Sequence, residues 1–279
     1  MSFSINTNLN GMWGQNQLQE TNKSLSSSLD KFSSAKRINK SADDASYMLI
    51  SDGLDSQIRG ITEAMMNVND AVSISQIADG GLGDATDIIN TIRNKALEAS
   101  NDSQNPESRA AIQSDIKSAL ENLNQIVQNT SYNGKSLLSG QFSNQIFHIG
   151  PNADETTKLS VQSTKPSNIG DSTYGKLTDI DVTTSEGAEK AIKISDAALK
   201  NIDSSRSEIG SFQNQLVSSM NILSIQAINE SSSQSSIQDL DFSEESMVFS
   251  KMKALNDAKM FALAQGNVQA SNVVNLLQD

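Results

Sequence analysis

Apolar side chains recur through residues 44–100 at Leu54, Ile58, Ile61, Met65, Val68 and Val72, with gaps alternating between three and four. A second run in the same rhythm is Leu82, Ala85, Ile89, Ile92, Ala96 and Ala99. A repeat of 3.5 residues predicts one long helix with a narrow apolar seam that partner helices must cover. The first proline is Pro106, so nothing before it breaks the pattern. A helix of about 50 residues would be about 75 Å long, too long to bury its own seam. Gly80, Gly81 and Gly83 fall inside it, each costing about 1 kcal/mol against Ala. The seam resumes in phase beyond them, which predicts an unbroken helix with close backbone packing there.

The rest of the pattern supplies partners. Residues 13–32 carry Leu18, Leu25, Leu29 and Phe32 at helical spacing. Residues 33–44 lose the repeat and read as a connector, with Ser41 as the expected cap of the long helix and Asp43 and Asp44 in its first turn. Asn105-Pro106-Glu107 starts another helix with the seam Ile112, Ile116, Ala119, Leu123 and Ile126, predicting an antiparallel hairpin with the long helix. Asn133-Gly134 is a turn signal. Between 144 and 162 the period drops to two, predicting a β-hairpin with strands at 144–149 and 157–162 around Gly150-Pro151-Asn152. Residues 163–184 are rich in Ser, Thr, Gly and Asp and read as an exposed loop.

A second long helix begins at Ser185 and runs to 227 through Ala188, Ile192, Ser195, Leu199, Ile202, Ile209, Phe212, Leu216, Met220, Leu223 and Ala227. Residues 229–241 are polar and read as a second connector. The last helix, from Ser243, carries Met247, Val248, Met252, Leu255, Phe261, Leu263, Val268, Val273, Val274, Leu276 and Leu277 over much of its circumference, which implies burial on several sides and therefore self-assembly.

The predicted fold is mainly α, with long antiparallel helices in a coiled-coil-like bundle, a small β-hairpin and paired terminal helices. Composition narrows the function. Aromatics are 4% and cysteine is absent, which excludes a disulfide framework, a thiolate metal site and a catalytic cysteine. The single histidine, His148, excludes a multi-histidine metal cluster. A net charge of −12 argues against nucleic acid or an anionic membrane as partner. The N-terminus lacks a basic start followed by an apolar run, so a Sec-type signal is not expected, and no stretch is apolar enough for a membrane span. Asp43 and Asp44 suit helix-start electrostatics better than acid–base work, and Gly80-Gly81-Leu82-Gly83 lacks the Lys-Ser/Thr end of a phosphate loop. The expectation is a protein with no catalytic, metal or cofactor site.

Several blocks resemble bacterial flagellin: SINTNLNGM, LDKFSSAKRINKSADDASYMLISDGLDSQIRG, NVNDAVSISQIADGGLGDATDIINTIRNKALEASN, SYNGKSLL, IQDLDFSEESMVFSKMKAL and ALAQGNVQASNVVNLLQD. The match spans about residues 2–162 and 185–279. It departs at SSAKRIN, where the family commonly has SSGLRIN, and at the terminal Gln278-Asp279, where many members have Arg.

The resemblance implies a structural subunit that polymerises into the flagellar filament used for swimming. It implies an inner core domain of residues 1–40 and 236–279, a helical-bundle domain of 41–162 and 185–235, and a short surface loop at 163–184 in place of outer domains. Leu18, Leu25, Leu29, Met252, Leu255, Phe261, Leu263, Val273, Leu276 and Leu277 are the expected subunit-interface residues. Expected partners are further copies of the chain, flagellar cap and hook-associated proteins, an export chaperone and the flagellar type III export apparatus; the expected location is the secreted, extracellular flagellum. Many flagellins are detected by Toll-like receptor 5 through the segment that contains Thr91, Arg93, Lys95 and Asp115. In receptor-activating members the positions of Thr91, Lys95 and Asp115 typically hold Arg, Leu and Glu, so the departures imply weak receptor contact. Ser167, Ser172, Thr173 and Thr178 are candidate O-glycosylation positions. The alternatives are a hook–filament junction protein and a glycosylated adhesin on a flagellin scaffold.

Overall fold

The computed structural model describes residues 8–276. Five helices dominate: α1 (Leu9–Ser34), α2 (Ala45–Ser100), α3 (Pro106–Asn129), α4 (Ser185–Gln238) and α5 (Phe242–Leu276). Three two-stranded antiparallel hairpins lie between α3 and α4: β1 (Ser131–Tyr132) with β2 (Lys135–Ser136), β3 (Gln145–His148) with β4 (Thr156–Leu159), and β5 (Gly170–Asp171) with β6 (Gly175–Lys176). Residues up to 56 and from 229 onward make one compact unit, and residues 57–228 make the other.

The core of the second unit is a set of heptad seams. On α2 the fully covered row is Ile61, Ala64, Val68, Ala71, Ser75, Ala78, Leu82, Ala85, Ile89, Ile92, Ala96 and Ala99, alternating three and four without a slip. The corresponding row on α4 is Ala188, Ala191, Ser195, Ala198, Ile202, Ser205, Ile209, Phe212 and Leu216, and α3 adds Ile112, Ile116, Leu123 and Val127. These residues form one contiguous core. Alanine and serine, at seven of the twelve rungs on α2 and five of the nine on α4, let the backbones approach closely. Buried hydroxyls would be costly unpaired, but Ser75, Ser195 and Ser205 each donate to the carbonyl four residues back, at 2.7, 2.8 and 3.1 Å. Arg93 reaches Asp196 at 2.7 Å and Arg206 reaches Asp79 at 2.9 Å, pairings that run oppositely along the two helices and mark them as antiparallel.

The seam differs from the sequence expectation on α2. Leu54, Ile58, Met65 and Val72 are half-buried flankers rather than rungs. The predicted close packing at the glycines holds at Gly81 only. An added Cβ there would meet Thr130 and Leu138, whereas Gly80 and Gly83 face open space. The helix is nonetheless continuous through all three.

Helix ends are capped by specific groups. Asp44, not Ser41, caps α2: its Oδ1 accepts from the backbone N–H of Ser46 and Tyr47, each at 3.0 Å, since a carboxylate both satisfies free donors and meets the positive helix end. Arg109 closes the other end of α2 by donating to the Ala99 and Asn101 carbonyls at 3.0 and 3.2 Å. Asn105 accepts from Ser108 N–H at 2.7 Å at the start of α3, with Pro106 in its first turn as expected.

The second connector is shorter than its composition suggests, because α4 stays helical to Gln238. The Arg37 N–H and guanidinium donate to the Gln238 and Ile237 carbonyls at 2.7 and 2.6 Å. These donors satisfy acceptors that a helix end leaves free, and so offset the weak helix propensity of the Ser- and Gln-rich turn.

The main hairpin matches its prediction, with Gln145 opposite Leu159 and His148 opposite Thr156. Phe147 packs its ring 6.0 Å from Phe212 of α4 and 6.5 Å from Phe142. Pro151 sits where a side chain on Gly60 of α2 would fall, about 3.0 Å from that Cβ position. Asn133 and Gly134 turn β1 into β2 with φ of 48° and 75°, the left-handed pair that a tight hairpin requires.

Residues 163–184 are not an open loop. They contain β5, β6 and a 3-10 turn at Leu177–Asp179, and they bury Ile169, Leu177, Ile180 and Val182. Gln113 of α3 holds the segment by donating to the Ile180 carbonyl at 3.1 Å and accepting from Val182 N–H at 2.8 Å. Asn201 of α4 donates to the Gly170 carbonyl at 3.0 Å. The four aliphatics are too irregularly spaced to produce a period, so sequence pattern alone misses their burial.

Candidate assembly interface

The terminal helices α1 and α5 pair along one seam. On α1 the covered or half-covered rungs are Gly14, Leu18, Thr21, Leu25, Ser28 and Phe32; on α5 they are Glu245, Phe249, Met252, Asn256, Lys259 and Leu263. Both series alternate four and three, the spacing of a coiled-coil seam. Ser28 donates to Glu245 at 2.5 Å, Asn256 to Asn22 at 2.5 Å, and the Lys259 ammonium to Thr21 Oγ1 at 2.7 Å and the Gln17 carbonyl at 3.2 Å. Lys31 approaches the other Glu245 oxygen at 3.8 Å. Phe32 packs between Phe242 and Phe249, each 5.8 Å away. Gly14 gives room to Leu263, whose Cδ1 would stand 2.8 Å from a Cβ there. Rising numbers on α1 meet falling numbers on α5, so the pair is antiparallel. Polar rungs between apolar ones specify that register, because a slip would leave buried donors and acceptors unmatched.

The seam uses little of the apolar surface these helices carry. Leu9, Met12, Trp13 and Leu29 of α1 and Phe242, Met247, Leu255, Met260, Phe261 and Val268 of α5 remain exposed. The predicted interface residues therefore divide. Leu18, Leu25, Met252 and Leu263 are half-buried within the pair. Leu29, Leu255 and Phe261 are 51%, 39% and 75% exposed, outside it. The side chains of Val273 and Leu276, and Leu277 altogether, lie outside the described residues.

The segment predicted for receptor contact is held by charge pairs. Lys95 of α2 reaches Asp115 of α3 at 3.0 Å and Glu98 at 3.5 Å. Both carboxylates, with the hydrogen bond to Asp115 largest, raise the lysine above its usual value. Arg93 is engaged by Asp196. Thr91 is exposed and its hydroxyl donates back to the Asp87 carbonyl at 3.0 Å. Ser167, Ser172, Thr173 and Thr178 are all exposed. Among the described residues no three His, Cys, Asp or Glu side chains converge as a metal site, and no helix is long and apolar enough to cross a membrane.

Comparison with known proteins gives this arrangement its context. Residues 5–143 match the model of the bacterial flagellin N-terminal helical region, and residues 192–277 match that of the C-terminal helical region. Flagellin FlaB2 of Treponema pallidum is 31% identical over 98% of this chain and 99% of its own. The chain belongs to the bacterial flagellins. The flagellar filament 33 kDa core protein of Treponema phagedenis is 30% identical with the same coverage. Flagellin B of Helicobacter pylori is 46% identical over 61% of this chain and 33% of its own length. Among solved structures, a candidate flagellar hook-associated protein from Vibrio parahaemolyticus shares the fold over 71% of this chain, with a TM-score of 0.62 and 15% identity.

As a flagellin, the chain is a non-enzymatic structural subunit of the bacterial flagellar filament, secreted and extracellular, and its partners are those of flagellar assembly. What the sequence pattern missed in this flagellin is the polar half of the α1–α5 seam. Thr21, Ser28, Glu245, Asn256 and Lys259 occupy heptad positions in phase with Leu18, Leu25 and Met252. Spacing alone could have found them, had polar residues been admitted as rungs.

Proposed function

We propose that this flagellin polymerises by burying the outward faces of the α1–α5 pair against the pairs of neighbouring copies. The observation that carries the reading is the exposed apolar set, Leu29, Leu255 and Phe261 together with Trp13 and Met247, on helices whose mutual seam is already filled. Each such side chain contributes about 1.5–3 kcal/mol when fully buried, and repetition along a filament multiplies that gain. Leu18, Leu25, Met252 and Leu263 act by holding the pair together, and Val273, Leu276 and Leu277 are further proposed interface residues. In this reading residues 1–40 and 236–279 form the filament core, residues 41–162 and 185–235 form the layer around it, and residues 163–184 stand in place of larger outer domains. The compact unit formed by the two ends of the chain supports that arrangement.

The same reading assigns partners. The flagellar type III export apparatus and an export chaperone handle the chain before assembly, and cap and hook-associated proteins meet it at the filament ends. Toll-like receptor 5 is contacted weakly. Lys95 takes a position suited to an apolar anchor and is occupied by Asp115, while Thr91 offers no cation. Ser167, Ser172, Thr173 and Thr178 are accessible to O-linked sugars.

Purified monomer polymerises into long filaments on salting out with ammonium sulfate. A chain ending at residue 242 stays monomeric while keeping most of its helical circular dichroism. Normal filaments from the truncated chain would overturn the role given to α5.

A further inference from the structure

Sulfur in this chain is confined to nine methionines, since cysteine is absent. With no thiol to react first, the thioether is the sulfur group open to two-electron oxidation. The methionines are unevenly placed. Among the described residues four are exposed: Met12 at 59%, Met66 at 52%, Met247 at 69% and Met260 at 49%. Three of these four lie on the terminal helices α1 and α5. Met252, also on α5, is a half-buried rung of the seam between them. Met12, Met247 and Met260 are not rungs. Each is followed in sequence by another apolar side chain that the pair leaves uncovered, namely Trp13, Val248 and Phe261. All three thioethers therefore belong to the apolar surface that polymerisation buries.

A peroxide changes that surface chemically. A sulfur lone pair attacks one oxygen of hydrogen peroxide, and the O–O bond breaks as the S–O bond forms. The proton on the transferred oxygen passes to the departing hydroxide, which leaves as water. The thioether is oxidised by two electrons to a sulfoxide, and the peroxide is reduced. The product is polar and accepts hydrogen bonds without donating any. On an exposed helix face water satisfies it, so the free chain keeps its fold. Pressed among side chains such as Trp13, Val248 and Phe261 it loses that water, and an unsatisfied buried acceptor is costly.

We propose that Met12, Met247 and Met260 are peroxide-modifiable sites whose conversion to sulfoxide stops a free chain from joining the filament, and which the filament shields once the chain is assembled. The proposal rests on the filament reading. It makes assembly competence of the free chain sensitive to oxidant and restorable by reduction.

The test uses hydrogen peroxide on the purified full chain, with catalase added before polymerisation by ammonium sulfate. Peptide mass spectrometry finds one added oxygen at each of Met12, Met247 and Met260 in the treated monomer. The same treatment of filaments oxidises these three about tenfold or more slowly. The critical concentration of the oxidised monomer rises about tenfold or more, with unchanged helical circular dichroism. Methionine sulfoxide reductases of both stereospecificities, with dithiothreitol as reductant, return it to the starting value. A chain carrying Met12→Leu, Met247→Leu and Met260→Leu has the same critical concentration before and after peroxide, whatever that concentration is. Polymerisation of the oxidised monomer at the untreated concentration overturns the proposal. Equal oxidation of the three sites in monomer and filament overturns it as well. A peroxide effect that persists in the triple leucine chain assigns the loss to the other methionines and also overturns it. The reductase and filament comparisons need no substitution and decide by themselves. Failure of the untreated chain to polymerise counts against the filament reading itself, and is distinct from each of these results.

Discussion

Gly81 of α2 lies so close to Thr130 that a Cβ on the glycine would stand 2.6 Å from the threonine hydroxyl and 2.8 Å from its methyl group. Thr130 is itself pinned, donating to the Ile126 carbonyl at 2.7 Å, and Leu138 closes a third side at 3.0 Å. Gly81→Ala gains about 1 kcal/mol in helix propensity but forces an overpacking penalty of about 1–3 kcal/mol, so the net change is destabilising. Gly80→Ala and Gly83→Ala meet nothing within 4 Å and stabilise by about 0.5–1 kcal/mol. Thermal unfolding of the three variants separates the two behaviours. A higher midpoint for Gly81→Ala would show that the α2–Thr130 contact has slack.

The Thr21–Lys259 rung gives the second prediction. Thr21 is buried and presents its oxygen to an ammonium. Thr21→Val keeps the shape and removes the acceptor, leaving the charge with the weaker Gln17 contacts. A lost hydrogen bond to a charged group costs about 1.5–3 kcal/mol. Thr21→Ser retains the oxygen and loses much less. The readout is the thermal midpoint of assembled filaments, which falls for the valine variant and stays near the original for the serine variant.

Much of this architecture is legible as heptad rhythm, and the failures share a cause. In α2 the pattern of large apolar residues pointed to Leu54, Ile58, Met65 and Val72, but the rungs include Ala64, Ala71, Ser75 and Ala78. Small residues carry little hydrophobic signal, yet they are what lets two backbones approach. The same bias hid Thr21, Ser28 and Asn256 in the α1–α5 seam. The burial of Ile169, Leu177, Ile180 and Val182 depends on Gln113 and Asn201, long-range contacts that leave no local trace. The helix start at Asn105 was legible; the start of α2 was assigned to Ser41 although the adjacent Asp44 caps it, and the end of α4 was illegible because its donors come from Arg37, far along the chain.

Acid loosens the turns that hydrogen-bonded carboxylates hold. Backbone N–H groups of Asn39 and Lys40 hold Asp43 below its usual 3.8, those of Thr173 and Tyr174 do the same for Asp171, and the Thr183 N–H and hydroxyl for Asp181. The Asn152 side-chain amide and N–H lower Glu155 below 4.5. A carboxylate depressed in the folded state contributes stability that is complete above its unfolded value and disappears as pH falls through its folded value. Stability associated with these turns is therefore flat at neutral pH and declines below about pH 4. Amide protection at residues 39–43 and 171–175, taken relative to the intrinsic exchange rate at each pH, falls there, and Asp43→Asn removes that pH dependence at the first turn. A loss of protection already complete at pH 6 would assign the turns to other interactions.

The ion pair between Lys95 and Asp115 makes the proposed weak receptor contact testable in the opposite direction. The pair joins α2 to α3 on the surface, where such pairs add little stability, so breaking it leaves the fold in place. Lys95→Leu exposes an apolar side chain where an anchor residue can be buried by a partner, and Thr91→Arg supplies a charge-assisted donor one helical turn away. Asp115→Glu keeps the acid while extending its reach. The triple variant is expected to raise the Toll-like receptor 5 reporter response about tenfold or more over the unsubstituted monomer, with unchanged circular dichroism. Lys95→Ala, which breaks the ion pair without providing an anchor, leaves the response low. A strong response from the unsubstituted monomer, or none from a correctly folded triple variant, places the control of recognition elsewhere than Thr91, Lys95 and Asp115.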